Sequence, residues 1–136
     1  MSEVLDILLA GTARNVTKEP ETAVVEIPRL TKQYGQPVEF KLRGITFEQI
    51  REASDRREQY DQTVVIAGSV SPDLHDVRLA VKFGLLKSGE KWGNHGVLPA
   101  DLAAAMLLPG ELAELRMHIE RLSGYLRDTT KLVKKN

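Results

Sequence analysis

Residues 38–43 read Val-Glu-Phe-Lys-Leu-Arg, a strict alternation of apolar and charged side chains. Because successive side chains of a β-strand point to opposite faces, this order predicts a half-buried strand with Val38, Phe40 and Leu42 facing inward. Residues 23–30, Ala-Val-Val-Glu-Ile-Pro-Arg-Leu, are rich in β-branched side chains and predict a preceding strand. A turn cluster, Tyr-Gly-Gln-Pro at 34–37, separates the two segments and predicts a hairpin.

A two-stranded ribbon is only marginally stable in water, so other elements have to cover its apolar face. Thr46, with Gln49 three residues later, forms a capping box that predicts a helix to about residue 60. Residues 63–70 fit either a strand or a buried helical turn, and both interpretations stay open. Further amphipathic helices are predicted at residues 3–10, 71–85, 98–108 and 110–126. The predicted fold is α+β and mostly helical, an N-terminal β-hairpin packed against four to five helices.

The last predicted helix carries an apolar stripe at alternating spacings of three and four residues. Its members are Leu112, Leu115, Ile119, Leu122 and Leu126. Such a narrow seam packs either against the chain's own hairpin or against a helix of a partner. Ser123 and Gly124 fall inside the stripe and predict an end or a bend there.

Composition indicates a small globular protein and excludes several classes of function. The chain of 136 residues has 19 basic and 19 acidic side chains, so no excess of positive charge attracts nucleic acid or an anionic membrane. With 42% apolar residues it has enough for one core, and 5% aromatics leave that core to aliphatic side chains. The absence of cysteine excludes disulfides, thiol nucleophiles and thiolate metal sites.

No arrangement of side chains predicts catalysis, a metal or a cofactor. The three histidines, His75, His95 and His118, are isolated in sequence and outside any metal-binding motif. Neither a phosphate-binding glycine loop nor a serine nucleophile motif occurs. The sequence therefore predicts a binding protein and no enzyme. The N-terminus carries acidic residues where a secretory leader would carry cations, and no long apolar run occurs, so the sequence predicts a cytoplasmic protein.

The C-terminal third resembles a known family. Residues 107–115, Leu-Leu-Pro-Gly-Glu-Leu-Ala-Glu-Leu, followed by Ile119 and by Leu-Ser-Gly-Tyr at 122–125, are similar to the signature of XkdN-like phage tail assembly chaperones.

Four other segments agree with the same family in the same order. Residues 1–5, 25–30 and 40–46 are similar to its start, its first strand, and its second strand with the following helix start. Residues 71–74, Ser-Pro-Asp-Leu, resemble an Asp-Pro-Ser-Leu turn, with Ser71 in place of Asp. The resemblance spans about residues 1–125. It leaves out the loop at 87–96 with Trp92 and the basic tail.

The resemblance implies a non-enzymatic chaperone for building a contractile phage tail or a phage-tail-like particle, including one encoded by a prophage. Such a protein binds the tape measure protein, keeps its long helices soluble, helps recruit tail tube subunits, and leaves before the particle matures. It works in the cytoplasm of the bacterial host. A structural component retained in the particle, such as a tube or baseplate adaptor, is the alternative. A small nucleic-acid-binding regulator is disfavoured by the zero net charge.

A client of amphipathic helices needs an apolar groove, and the two C-terminal helices are predicted to form it. The predicted groove residues are Leu102, Met106, Leu112, Leu115, Ile119 and Leu122. Full burial of Leu115 and Ile119 against the chain's own core would remove this assignment.

The chain is predicted to form one domain over residues 1–126, followed by a flexible basic tail at 127–136. Lys134-Lys135-Asn136 is compatible with an A-rich slippery sequence, so a longer frameshifted form of the protein is a further expected partner. A run of lysines encoded without slippage is the alternative. A homo-oligomer is also compatible with the sequence, whereas nucleic acid and membrane partners are not expected.

Overall fold

The computed structural model of the chain describes residues 3–135. Met1 and Ser2 of the predicted family start, and Asn136 of the proposed slippery site, lie outside the described residues. The helices are α1 (Glu3–Ala10), α2 (Pro28–Tyr34), α3 (Phe47–Asp55), α4 (Tyr60–Gly68), α5 (Val77–Lys82), α6 (Pro99–Met106) and α7 (Pro109–Leu122). The strands are β1 (Thr22–Glu26), β2 (Glu39–Arg43) and β3 (Ser69–Ser71), and single 3-10 turns occur at Arg57–Gln59 and Asn94–Gly96. The predicted α+β, mostly helical fold is confirmed.

The sheet is antiparallel with β2 in the centre, between β1 and β3. The predicted hairpin is present, with Val25 opposite Phe40. Phe40 and Leu42 are fully buried, as the alternating pattern predicts, and Val38 is half-buried just before the strand. The third strand, β3, was not part of the predicted hairpin.

The connection between β1 and β2 differs from the predicted short turn. The strand predicted at residues 23–30 ends at Glu26, and α2 starts at Pro28. Proline has no backbone N–H to donate to a sheet, whereas its fixed φ suits the first turn of a helix. Gly35 ends α2 in the left-handed conformation, with φ of 70°, which confirms the predicted turn at that point.

Two segments combine or shift the predicted elements. Residues 63–70 hold both structures that the sequence left open, since α4 runs to Gly68 and β3 begins at the next residue. The helix predicted from residue 71 begins only at Val77, where the side chain of Asp76 accepts a hydrogen bond from the backbone N–H of Arg78.

The last helix ends earlier than its apolar stripe. The structure ends α7 at Leu122, and Gly124 adopts a φ of 98°. The hydroxyl of Ser123 donates to the carbonyl of Ile119 at 2.7 Å, which supports the predicted stop at Ser123 and Gly124. Residues 123–135 contain no helix or strand, and residues 125–135 are exposed. The division into a domain at 1–126 and a flexible tail stays a prediction.

The core lies between the sheet, α4, α6 and α7. An ion pair joins α2 to the start of α7: Arg29 donates through Nε and Nη2 to the two carboxylate oxygens of Glu111, at 2.9 and 2.8 Å. The same guanidinium donates to the carbonyl of Met106 at 3.0 Å. This bidentate arrangement fixes the turn between α6 and α7 against α2.

Candidate partner-binding surface

Most of the predicted groove is part of the hydrophobic core. Leu115 is 3% exposed and Ile119 is 0% exposed, and both pack within the chain's own core. Leu102, Leu112 and Met106 are buried in the same cluster. The condition that removes the groove assignment is therefore met. The structure corrects it because the narrow stripe of α7 packs against α4 and β2 and forms part of the core.

Three of the six predicted residues still line surface cavities. Leu115, although only 3% exposed, borders a small cavity of about 50 Å³ beside β1. Leu122 is half-buried and lines a cleft of about 590 Å³, which we call the terminal cleft. Met106 lines a smaller groove of about 370 Å³ near the opposite end of β2, together with Leu30, Tyr34 and Phe83.

Three chain segments form the terminal cleft: residues 14–21 of the linker before β1, residues 44–50 after β2, and residues 122–127 after α7. Backbone and side-chain hydrogen bonds hold these segments together. Gly44 N–H donates to the carbonyl of Glu21 at 2.9 Å, and Ile45 N–H donates to the hydroxyl of Ser123 at 2.9 Å. Arg127 pairs with the carboxylate of Glu21 at 2.6 Å.

The absence of a side chain at position 44 allows the floor of the cleft to form. A Cβ on Gly44 would lie 2.6 Å from the carbonyl oxygen of Leu122. Because such a contact is far shorter than van der Waals separation, only glycine lets the end of β2 touch the end of α7 this closely.

Large apolar side chains are exposed around the terminal cleft. Phe47, the first residue of α3, is 69% exposed, and Tyr125 is 46% exposed. Val16 in the linker and Leu126 after α7 are exposed beside them. The predicted capping box fixes the position of Phe47: Thr46 N–H donates to Oε1 of Gln49 at 2.9 Å, and the Thr46 hydroxyl accepts from Gln49 N–H.

Sequence reasoning did not select Phe47 or Tyr125. Phe47 lies just after a helix cap, where an apolar residue is easily assigned to the core. Tyr125 belongs to the Leu-Ser-Gly-Tyr motif but follows the residue where the helix ends. The one indication in the sequence was that Phe47 and Tyr125 are large apolar residues that do not belong to the apolar stripe of α7, which fills the core.

The charged side chains form local pairs that stabilise helix packing. Arg116 on α7 contacts Asp61 through Nε at 2.7 Å and Glu120 through Nη1 at 2.6 Å. Burial and the hydrogen bond to Glu120 raise the pKa of Tyr60 to about 12. Asp61 contacts the guanidinium of Arg116, and Glu120 contacts that guanidinium and the phenol of Tyr60. These contacts fix α4 against α7.

Two of the three histidines contact acidic side chains close to them in sequence. His75 and His95 make contacts with neighbouring carboxylates, those of Asp73 at 3.1 Å and Glu90 at 2.9 Å. Trp92, in the loop without family motif, donates its indole N–H to the carbonyl of His75 at 2.8 Å. Over residues 3–135, no group of three or more His, Asp or Glu side chains is placed to hold a metal ion.

Within the same range, no helix is both long and apolar enough to cross a membrane.

Comparison with known proteins gives a family for the sequence and a related fold for the structure. The family model of the phage XkdN-like tail assembly chaperone protein matches residues 5–135. The crystal structure of the protein YqbN, a structural genomics target, superposes with a TM-score of 0.58 at 17% identity, covering 92% of this chain and 99% of that one. That likeness shows a shared fold. No curated protein matches the chain significantly. Because the family model covers nearly all of the sequence, the chain belongs to the family of phage XkdN-like tail assembly chaperone proteins.

Proposed function

We propose that this protein binds the tape measure protein during assembly of a contractile phage tail and shields its amphipathic helices from aggregation. The family is one of non-enzymatic tail assembly chaperones. In this proposal the chaperone acts in the cytoplasm of the bacterial host, helps recruit tail tube protein, and leaves before the particle matures. A frameshifted longer form would join it as a second assembly factor.

The observation that carries the proposal is the exposed apolar surface of the terminal cleft. Phe47 and Tyr125 are aromatic, largely exposed and held on walls that hydrogen bonds fix. Aromatic side chains contribute most to recognition when a partner covers them. Val16, Phe47 and Tyr125 line the same cleft, and exposed apolar side chains gathered at one place are typical of an interaction site.

Charge supports an apolar mode of recognition. The chain has zero formal net charge, so long-range attraction contributes little to the encounter with a client. Apolar burial then supplies the affinity, at about 25 cal/mol per Å² of apolar surface covered. An amphipathic client helix offers such a surface along one side.

Co-expression with the tape measure protein tests the proposal. We expect the tape measure protein to be soluble with the wild-type chaperone and to copurify with it. Replacing Phe47 and Tyr125 together by serine should remove both effects while leaving the thermal stability nearly unchanged, since both side chains are exposed. Tyr34→Ser is the matched control, because Tyr34 is an aromatic of similar exposure in the smaller groove.

Three results would each contradict part of this proposal. If the tape measure protein is equally soluble with and without the chaperone, client shielding is wrong. If Tyr34→Ser abolishes binding and the cleft variant does not, the client site is the smaller groove. Mass spectrometry of purified particles tests departure: a stoichiometric amount of the chain there would make it a structural component, such as a tube or baseplate adaptor.

A further inference from the structure

Helix α1 is apolar and uncovered. The described side chains of α1 (Glu3–Ala10) are all exposed, including the large apolar residues Val4, Leu5, Ile7, Leu8 and Leu9. An isolated helix shorter than about 12–15 residues is marginal in water, and α1 has 8 residues. A helix this short and apolar needs a covering surface to be stable.

The charge of α1 restricts the chemistry of the surface that can cover it. Glu3 and Asp6 are its only charged residues. The linker that follows has Arg14 and Lys18 against Glu19 and Glu21, so its charges balance. The negative charge is therefore confined to the helix, and a complementary surface has to combine apolar side chains with positive charge.

The C-terminal segment at residues 131–135, Lys-Leu-Val-Lys-Lys, has this combination. It contains three lysines and no acidic residue. Leu132 and Val133 are 79% and 84% exposed. Within the described part of the chain, α1 and this segment are both uncovered, so neither serves as the cover of the other in the same molecule.

The two segments start from neighbouring points of the domain. The pair of Glu21 and Arg127, 2.6 Å apart, joins the end of the N-terminal linker to the start of the C-terminal segment. Two complementary surfaces on one chain can pair reciprocally about a two-fold axis, because each copy offers α1 to the segment of the other.

We propose that α1 of one copy docks on the basic segment 131–135 of a second copy, reciprocally, in a two-fold homodimer. A single such contact is small, since α1 is only about 12 Å long. The reciprocal arrangement doubles the contact, because each copy contributes one α1 and one basic segment. The inference does not rest on the proposed client binding, although the Glu21–Arg127 pair from which both segments extend also lines the terminal cleft.

Charge reversal tests the dimer with the full chain alone. One variant carries Glu3→Lys and Asp6→Lys, the other Lys131→Glu and Lys134→Glu. All four positions are exposed, so circular dichroism should show an unchanged fold. Sedimentation equilibrium at low salt should give a wild-type dimer and at least a tenfold weaker association for each variant alone.

Mixing the two variants distinguishes docking of α1 on a second copy of the chain from docking on a different protein. In the mixed dimer, the basic α1 meets an acidic segment and the acidic α1 meets a basic segment, so equimolar mixing should restore association. Raising salt from about 20 mM to about 500 mM should weaken the wild-type dimer, because the charges are exposed and screened. A monomeric wild type, variants that associate like the wild type, or a mixture that stays monomeric would each overturn the proposal.

Discussion

Replacing Ile119 by alanine tests whether the apolar stripe of α7 is core or partner surface. Ile119 is 0% exposed, and its side chain packs against the backbone of Gly68 at the end of α4. If the stripe is core, the substitution destabilises the free chain strongly. If it were a partner surface, the free chain would lose little.

The magnitude follows from the atoms removed. Three buried carbons at about 0.8 kcal/mol each give roughly 2.4 kcal/mol of lost transfer free energy. A cavity of roughly 80 Å³, if nothing relaxes, adds up to about 2 kcal/mol. We therefore expect Ile119→Ala to lower the free energy of unfolding by about 2.5–4.5 kcal/mol. Met117→Ala, at a partly exposed position of the same helix, should change it by about 0.5 kcal/mol or less.

Gly68 allows a double-mutant cycle on the same contact. A Cβ at position 68 would lie 2.5 Å from Cδ1 of Ile119, so Gly68→Ala alone should destabilise by about 1–3 kcal/mol through overpacking. In the Ile119→Ala background the new methyl enters the cavity, so the double variant should be about 1 kcal/mol more stable than Ile119→Ala. Urea unfolding at equilibrium measures all four species. Additive effects, or a loss below about 1 kcal/mol for Ile119→Ala, would refute this packing.

Three further substitutions, one with a matched control, test the cap of α3, the glycine at the floor of the terminal cleft, and the ion pair between α2 and α7. Thr46→Ala removes the cap of α3 and should cost about 1 kcal/mol in urea unfolding. Gly44→Ala places a Cβ against the backbone at the end of α7 and should cost about 1–3 kcal/mol, whereas Gly110→Ala, with open space around it, should cost nothing. The hydrogen bond from Arg29 lowers the pKa of Glu111 below its usual value of 4.5, so its contribution to stability is present above that pH and lost as pH falls through the lowered pKa. Glu111→Gln should therefore be less stable than wild type at neutral pH, and the difference should shrink as the pH falls below 4.5 and through the lowered pKa.

Local patterns predicted the elements whose cause is local. The alternation at residues 38–43 identifies β2 and its inward side chains, because strand periodicity depends only on neighbouring residues. The capping box at Thr46 and the stop at Ser123 and Gly124 are likewise short-range and are present in the structure. The family resemblance rested on such local motifs, and the family match confirms it.

The candidate site depended on long-range packing and was not predictable in the same way. A stripe with spacings of three and four residues shows that one face of α7 is covered, but it does not show by what. The structure places α4 and the sheet against that face. The terminal cleft joins three segments far apart in sequence, and its contact between Gly44 and Leu122 leaves no local signal.

Hydrogen exchange of the complex with the tape measure protein tests the site most directly. We predict that client binding slows exchange at residues 45–50 and 122–127, the two segments that hold most of the residues lining the terminal cleft. Exchange at residues 112–119 should stay as slow as in the free chain, since that face of α7 is already covered. Faster exchange at 112–119 on binding, with no protection at the cleft, would show that the client opens the core and would contradict this assignment.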